Sequence, residues 1–265
     1  MKLFNKNTLL IVLLLLSSYG YIASCKREND LLPPPPSTTP IIARGTAVLT
    51  PGDMTVANRL EWKLDKVHSS ALWSTNYMAA SGLLTGRFNQ FGVHNITDAE
   101  MTTYPVTGQP LKDSSWAFYE SDPSKSYFNG YVQINQSNTG EPGRDIGCNV
   151  AGMGTTAIIP GTQNLSVTNL ARIKTTKIEY DPLSADYIVT LILTWQGKLT
   201  SPASKTIVGR LKYIPRATVG AGTATSYDVF GLQLKFQFNC RDFGMTSTSI
   251  ADKIDVECNI NFNNK

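Results

Sequence analysis

The strongest constraint on the fold is a strict alternation of apolar and polar residues near the C-terminus. It occupies residues 230–238 and resumes over residues 254–262. The apolar positions are Phe230, Leu232, Leu234, Phe236 and Phe238 in the first run, and Ile254, Val256, Cys258, Ile260 and Phe262 in the second. Successive side chains of a strand point to opposite faces, so each run predicts a strand with one apolar and one polar face. Two such strands indicate an antiparallel sheet curled around an apolar interior.

Upstream segments repeat the same pattern. Residues 128–134, 187–195 and 207–213 alternate in this way, and weaker runs raise the number of predicted strands to at least eight. Many short strands without an amphipathic helix indicate an all-β sandwich or barrel. Four glycines interrupt the runs, namely Gly86, Gly130, Gly209 and Gly231. Because barrel walls need bends and close backbone approach, these glycines favour a barrel, although a sandwich corner would also use them.

The charge content argues against nucleic acid as a partner. Charged residues make up 17% of the chain, the formal net charge is +4, and no long basic run occurs. Two of the positive charges, Lys2 and Lys6, belong to an N-terminal segment that is discussed next. The rest of the chain is close to neutral, so the sequence predicts no basic surface that would bind a phosphate backbone.

The N-terminus has the layout of an export signal. Lys2 and Lys6 precede an unbroken apolar run at residues 9–16, which is too short to span a bilayer comfortably. Residues 22–25 read Ile-Ala-Ser-Cys and resemble the bacterial lipoprotein lipobox, in which the cysteine is diacylated after cleavage. We therefore expect lipidation at Cys25; an ordinary secretory signal is the alternative.

Three regions follow along the chain. Residues 1–24 are predicted to be a lipoprotein signal peptide, 25–58 the acylated N-terminus and a flexible Pro-rich tether, and 59–265 a β-barrel domain. Residues 41–58 stay ambiguous, because residues 47–49 could also form a short strand. Multiple acyl chains anchor a protein stably. We therefore expect a lipid-anchored protein of the bacterial cell envelope. We expect it at the outer membrane, because the residue after Cys25 is Lys26 and not an Asp, which would resemble an inner-membrane retention signal.

Four short motifs occur in order over residues 60–262. They are Trp62, Asp65 and His68-Ser69; Gly86-Arg87-Phe88; Arg144-Asp145; and Arg241-Asp242-Phe243-Gly244. This ordered set resembles the YceI-like family of bacterial isoprenoid-binding proteins. The sequence departs from the family pattern after Arg144-Asp145, where Ile146-Gly147-Cys148-Asn149 replaces a His-Leu and Phe-rich segment.

The resemblance implies an eight-stranded antiparallel up-and-down barrel of lipocalin type, open at one end. It implies a non-catalytic protein without a cofactor, binding an apolar lipid such as a polyisoprenoid or a quinone-like molecule inside the barrel. The candidate wall residues are Leu191, Leu193, Trp195, Phe230, Leu232, Leu234, Phe236, Ile254, Val256 and Ile260. The alternative is a structural lipoprotein with a filled barrel, which recruits protein or glycan partners through a polar loop at residues 95–125.

Three polar residues are candidates for the rim of the barrel: His68, Arg144 and Arg241. His68 and Ser69 are adjacent, so on a strand their side chains would face opposite ways, and a catalytic pair is not expected. Only one further histidine exists, and without paired His or Cys-x-x-Cys spacing we expect no metal site. The two arginines could form loop ion pairs, clamp one end of the barrel, or meet an anionic headgroup.

Three cysteines remain after lipidation of Cys25. Cys240 and Cys258 continue the apolar faces of the last two strands and lie symmetrically about the intervening loop. A disulfide between them is permitted in an exported protein. Two buried free thiols are the alternative. Cys148 would be unpaired in the disulfide scheme.

Overall fold

The computed structural model describes residues 45–52, 62–77, 82–97, 113–140 and 169–265. The predicted signal peptide, the lipidation site Cys25, and both Arg144 and Cys148 lie outside the described residues. The described elements are strands and short 3-10 helices, and none of the helices among them is long and apolar enough to cross a membrane.

Thirteen β-strands occur in the described residues. They are β1 (Val48–Leu49), β2 (Lys63–Leu64), β3 (Ser70–Tyr77), β4 (Gly82–Phe88), β5 (Phe91–Gly92), β6 (Trp116–Tyr119), β7 (Tyr127–Gln133), β8 (Ser137–Asn138), β9 (Leu170–Asp181), β10 (Asp186–Trp195), β11 (Ala203–Val219), β12 (Tyr227–Asn239) and β13 (Lys253–Asn263). Short 3-10 helices span Pro123–Lys125, Ile134–Gln136 and Cys240–Phe243. The all-β prediction is confirmed.

The strand pairing closes into a ring. All strand pairs are antiparallel, and the sheet runs from β7 through β9, β10, β11, β12, β13 and β3 to β4. Closure comes from β4 and β5, which pair with β8 and β7: Phe88 opposes Ser137, and Phe91 opposes Val132. Only short breaks separate β4 from β5 and β7 from β8, so each couple acts as one interrupted strand. The described residues thus form an up-and-down barrel with eight strand positions.

The predicted alternation sets which side chains face the interior. On β10 the inward residues Tyr187, Val189, Leu191, Leu193 and Trp195 are all buried, and the residues between them are partly exposed. β13 pairs along its whole length with residues 229–239 of β12, so that Phe230 lies opposite Phe262 and Leu234 opposite Cys258. The apolar faces of these two strands therefore form one continuous inner wall.

The two ends of the barrel differ. We call one the hairpin end; it carries the β9–β10 and β11–β12 turns at residues 182–185 and 220–226. The opposite end, which we call the Cys240 end, carries residues 196–202 and 240–252. This assignment follows from the antiparallel registers, because β12 runs from the hairpin end to the Cys240 end and β13 runs back.

Aromatic side chains fill the interior at the hairpin end. Phe230 stacks on Phe262 at 4.6 Å between ring centroids, and Trp116 lies 4.3 Å from Phe262. Trp62 meets Phe230 edge-on at 4.8 Å. Such pairs add to the stability that area burial alone gives. Trp116 belongs to β6, so this part of the predicted 95–125 loop is a buried strand rather than a polar surface loop.

A buried carboxylate fixes the N-terminal segment to this end. Glu120, whose side chain is 1% exposed, accepts hydrogen bonds from Tyr213 Oη at 2.7 Å and from the Ala47 backbone N–H at 2.9 Å. Its Oε1 also pairs with Arg216 Nε at 2.7 Å. Burial alone would raise the pKa of Glu120, but these hydrogen bonds outweigh it and hold the pKa below its ordinary value. Residues 47–49, which the sequence left ambiguous between tether and strand, are held against the barrel, and Val48–Leu49 pair with β6 as β1.

Candidate ligand cavity

An apolar cavity lies inside the ring of strands. Its volume is about 100 Å³, and side chains from β3, β4, β5, β7, β9, β10, β11, β12 and β13 line it. No charged side chain is among the lining residues. A cavity of this kind excludes water for want of polar partners and accepts apolar groups.

Eight of the ten wall residues predicted from the sequence line this cavity: Leu193, Trp195, Leu232, Leu234, Phe236, Ile254, Val256 and Ile260. Leu191 and Phe230 do not line it. Both are buried, Leu191 in the core nearer the hairpin end and Phe230 within the aromatic cluster that fills this end. The prediction that these two side chains point into the barrel was correct, but other side chains fill the space beside them.

The sequence did not single out the other half of the wall. It is formed chiefly by Ala71, Trp73, Phe88, Phe91, Val93, Val132, Ile134, Ala171 and Ile173. The alternation of Phe128, Val132 and Ile134 was visible, but β4, β5, β7 and β8 are short and interrupted, so the facing direction of each segment did not follow from periodicity.

Trp73 belongs to this missed half, and both its ring face and its indole N–H are in close contact. Its indole lies against Gly86, its partner on β4, and a Cβ at that glycine would stand 2.6 Å from the ring. Beyond Gly86 the indole Nε1–H donates to Ser137 Oγ at 2.8 Å. The glycine thus leaves room for a buried tryptophan that joins β3 to β8 across β4.

Of the two alternatives left open for Cys240 and Cys258, the structure has the free thiols and not the disulfide. Cys240 and Cys258 are both free thiols, and Cys258 opposes Leu234 on β12, six positions before Cys240. Six strand residues span about 20 Å, far beyond the reach of a disulfide. The two cysteines are not equivalent about the loop, because the Cys240 backbone N–H bonds the Asp252 carbonyl at the end of the barrel.

Cys258 lies in the cavity wall. Burial raises the pKa of its thiol to about 12, with a smaller contribution from the neighbouring Glu257 charge. Such a thiol stays protonated and behaves as a small apolar side chain.

Arg241 holds the loop at the Cys240 end. Its guanidinium donates to the carbonyls of Met245, Ser247 and Ile250 at 2.8–3.0 Å and pairs with Asp252 at 2.8 Å. These bonds occupy the guanidinium within its own loop, so among the three predicted roles of Arg241 they match the loop ion pair and disfavour a headgroup contact. The neighbouring Asp242 pairs with Lys205 at 3.2 Å.

His68 lies in a turn at the hairpin end, outside the cavity lining. Its ring Nδ1 lies 2.8 Å from Asp65 Oδ2, and its side chain is largely exposed. Ser69 Oγ donates to the Asp65 carbonyl at 2.6 Å and accepts the Asn261 backbone N–H at 2.9 Å. The motif therefore ties the β2–β3 turn to β13. Within the described residues, no cluster of three or more potential metal ligands occurs.

Comparison with known proteins gives matches among solved structures only: no family model and no curated protein matches the chain. The chain is similar in fold to BcnA of Burkholderia cenocepacia (12% identity, TM-score 0.47, covering 75% of this chain and 99% of that one). It is similar to the YCEI protein of Campylobacter jejuni (17% identity, TM-score 0.42, covering 69% and 85%). It is also similar to a polyisoprenoid binding domain from Saccharophagus degradans, implicated in plant cell wall breakdown (12% identity, TM-score 0.40, covering 76% and 97%).

Proposed function

We propose that this protein is a lipid-anchored component of the bacterial cell envelope that holds an apolar, isoprenoid-like lipid inside its barrel. It has no chemistry of its own and serves in transport, storage or protection of the ligand. The observation that supports the proposal is the cavity, which is apolar throughout and is lined by residues from almost every strand of the ring. Apolar contact drives binding by about 25 cal/mol for each Å² removed from water.

The size of the cavity defines what fits without rearrangement. About 100 Å³ is somewhat less than the 150 Å³ engineered apolar cavity that binds benzene. It therefore admits one branched unit of an isoprenoid. A longer tail requires the lining side chains to move, and Phe236 and Phe238 near the Cys240 end are the large side chains on β12 that would turn aside.

The anchoring half of the proposal rests on the N-terminal sequence. The apolar run at 9–16 followed by the lipobox-like residues 22–25 supports acylation of Cys25, and Lys26 favours the outer membrane. The test is radiolabelled palmitate incorporation in a bacterial host. Label should enter the wild-type chain, and equal label in the Cys25→Ser variant would contradict acylation at this residue.

Ligand binding is tested on gently purified protein by native mass spectrometry and solvent extraction. The proposal expects an apolar molecule to be released in amounts comparable to the protein. Protein that is homogeneously ligand-free, and that takes up no added farnesol, would contradict it.

A second function is favoured by a specific observation, namely that aromatic side chains fill the hairpin half of the interior. A barrel filled by its own side chains would act as a scaffold that recruits protein or glycan partners. The two functions differ in what happens when the remaining cavity is filled by mutation. If a variant with a filled cavity no longer takes up lipid in the absence of any partner, the lipid-binding function is supported. If that variant and the wild-type protein behave alike towards lipid, the scaffold is supported.

A further inference from the structure

Exposed apolar side chains are concentrated at one end of the barrel. Nine large apolar side chains are exposed among the described residues. Six of them lie at the hairpin end: Val48, Val67, Tyr127, Leu183, Ile214 and Val219. Tyr77 and Leu83 lie at the Cys240 end, and Val208 lies on the outer wall. Scattered apolar residues are normal on a protein surface, but concentration on one face indicates an interaction site.

Two of the six stand at the tips of turns. Val67 lies in the turn between β2 and β3 and is 88% exposed, and Leu183 lies in the β9–β10 turn and is 85% exposed. Turn tips ordinarily carry Gly, Pro, Asn, Asp or Ser. A valine or leucine at such a position contributes almost nothing to the core, so these residues are better explained by something outside the barrel.

The chain enters the barrel at this same end. The hydrogen bond from the Ala47 backbone to Glu120 fixes the point at which the preceding segment leaves the domain. Residues 25–44 join that point to Cys25 and can span at most about 70 Å. An acylated Cys25 would therefore be joined to the barrel at the hairpin end, the same end that carries the exposed apolar tips.

The cations beside the two tips are already paired. Lys66 Nζ lies 3.0 Å from Asp113, and Arg210 pairs with Asp181 at 2.9 Å beside the Leu183 turn. Val67 and Leu183 are more exposed than either of these paired cations, so the apolar side chains are the groups that an approaching surface meets most fully. Apolar side chains on turns around the rim of a barrel can insert together into a flat, deformable bilayer. A protein interface, by contrast, is typically built around a central cluster of aromatic and arginine side chains.

We infer that the hairpin end is a membrane-contacting face, with Val67 and Leu183 inserted at the boundary between headgroups and acyl chains. The inference rests on the anchoring part of the proposed function and not on ligand binding. It goes beyond anchoring because it gives the bound barrel a fixed orientation, with the Cys240 end directed away from the lipid.

The test places an environment-sensitive NBD fluorophore on single introduced cysteines, Val67→Cys, Leu183→Cys and the control Leu83→Cys. Leu83 is also exposed but lies at the opposite end. The full acylated chain, with Cys148→Ser to limit background labelling, is bound to vesicles of phosphatidylethanolamine and phosphatidylglycerol, with or without doxyl-labelled lipid. Flotation of the vesicles measures anchoring separately.

We expect blue-shifted emission and doxyl quenching at positions 67 and 183 and no change at position 83. Flotation without quenching at 67 and 183 would overturn the membrane face while leaving the anchor intact. Equal quenching at all three positions would indicate non-specific adsorption and would also overturn it. A chain that does not float would refute the anchor and, with it, this inference.

Discussion

Trp73 and Ser137 form a buried hydrogen bond across three strands. The indole Nε1 on β3 reaches over Gly86 on β4 and donates to Ser137 Oγ on β8 at 2.8 Å. This bond spans the place where the ring closes, and there the strand ladders, at Phe88–Ser137 and Phe91–Val132, are short. It therefore stabilises the least extensively paired part of the barrel, beside the cavity.

Replacing Ser137 by alanine should leave the indole N–H buried without its acceptor. Such a loss lowers the free energy of unfolding by about 1–3 kcal/mol. Urea denaturation followed by tryptophan fluorescence measures the change. Ser204→Ala is the matched control, because its hydroxyl bonds Thr194 on the exposed face at 2.8 Å, and a change within about 0.5 kcal/mol is expected there. Equal losses in both variants would contradict the role of the buried bond.

Gly86→Ala should displace the indole, because the new methyl group would stand 2.6 Å from it. The substitution should destabilise the barrel and reduce the near-UV dichroism of the tryptophans. In a Trp73→Leu background the same substitution should lower the free energy of unfolding by less, because the indole ring that it would clash with is absent. A double-mutant cycle with no coupling between positions 73 and 86 would show that the contact between them does not cause the loss of stability.

The carboxylate of Glu120 should make stability depend on pH. Its pKa is lower in the folded state than in the unfolded state, so its contribution is fully present above the unfolded pKa. The contribution is lost as the pH falls through the lowered folded pKa. Glu120→Gln should reduce the free energy of unfolding at neutral pH by about 1–3 kcal/mol and flatten the acid limb of the stability profile. The control Glu179→Gln, at an exposed position paired with Lys177, should retain the wild-type profile.

The strand register predicts which thiols can be joined. Leu234→Cys places a second cysteine directly opposite Cys258, and antiparallel partners lie within disulfide range. Oxidation should yield a bridge in this variant and none between Cys240 and Cys258 in the wild-type chain. Peptide mapping under non-reducing conditions distinguishes the two, and a wild-type bridge between 240 and 258 would contradict the register.

The sequence predicted the longest strands well and the closure of the ring poorly. β10, β12 and β13 are ten residues or longer and alternate strictly, so their inward faces, and eight of the ten predicted wall residues, could be read from periodicity. β4, β5, β7 and β8 are broken by turns, and the wall residues they carry were missed. Periodicity determines which face a side chain takes but not whether a cavity or another side chain lies beyond it, as Leu191 and Phe230 illustrate.

The roles of loop residues depend on the path of the chain, which has no periodic signature. Cys240 belongs to a 3-10 helix at the end of the barrel, so apolar spacing alone placed it incorrectly on the β12 face. Arg241 bonds three carbonyls that follow it within nine residues, and this arrangement follows only from how the 245–252 loop folds back.

The central claim, that the interior accepts an apolar ligand, is tested most directly by filling it. Trp73 and Trp195 line the cavity, so their fluorescence should change when isopentenol, geraniol or farnesol is added to the wild-type protein. Leu234→Trp fills the cavity from β12, and the control Lys235→Trp places the same side chain at an exposed position next to it. Isothermal titration calorimetry with the same alcohols should show binding by the wild-type and Lys235→Trp proteins and none by Leu234→Trp. Equal binding by all three, or by none, would contradict ligand binding in the barrel.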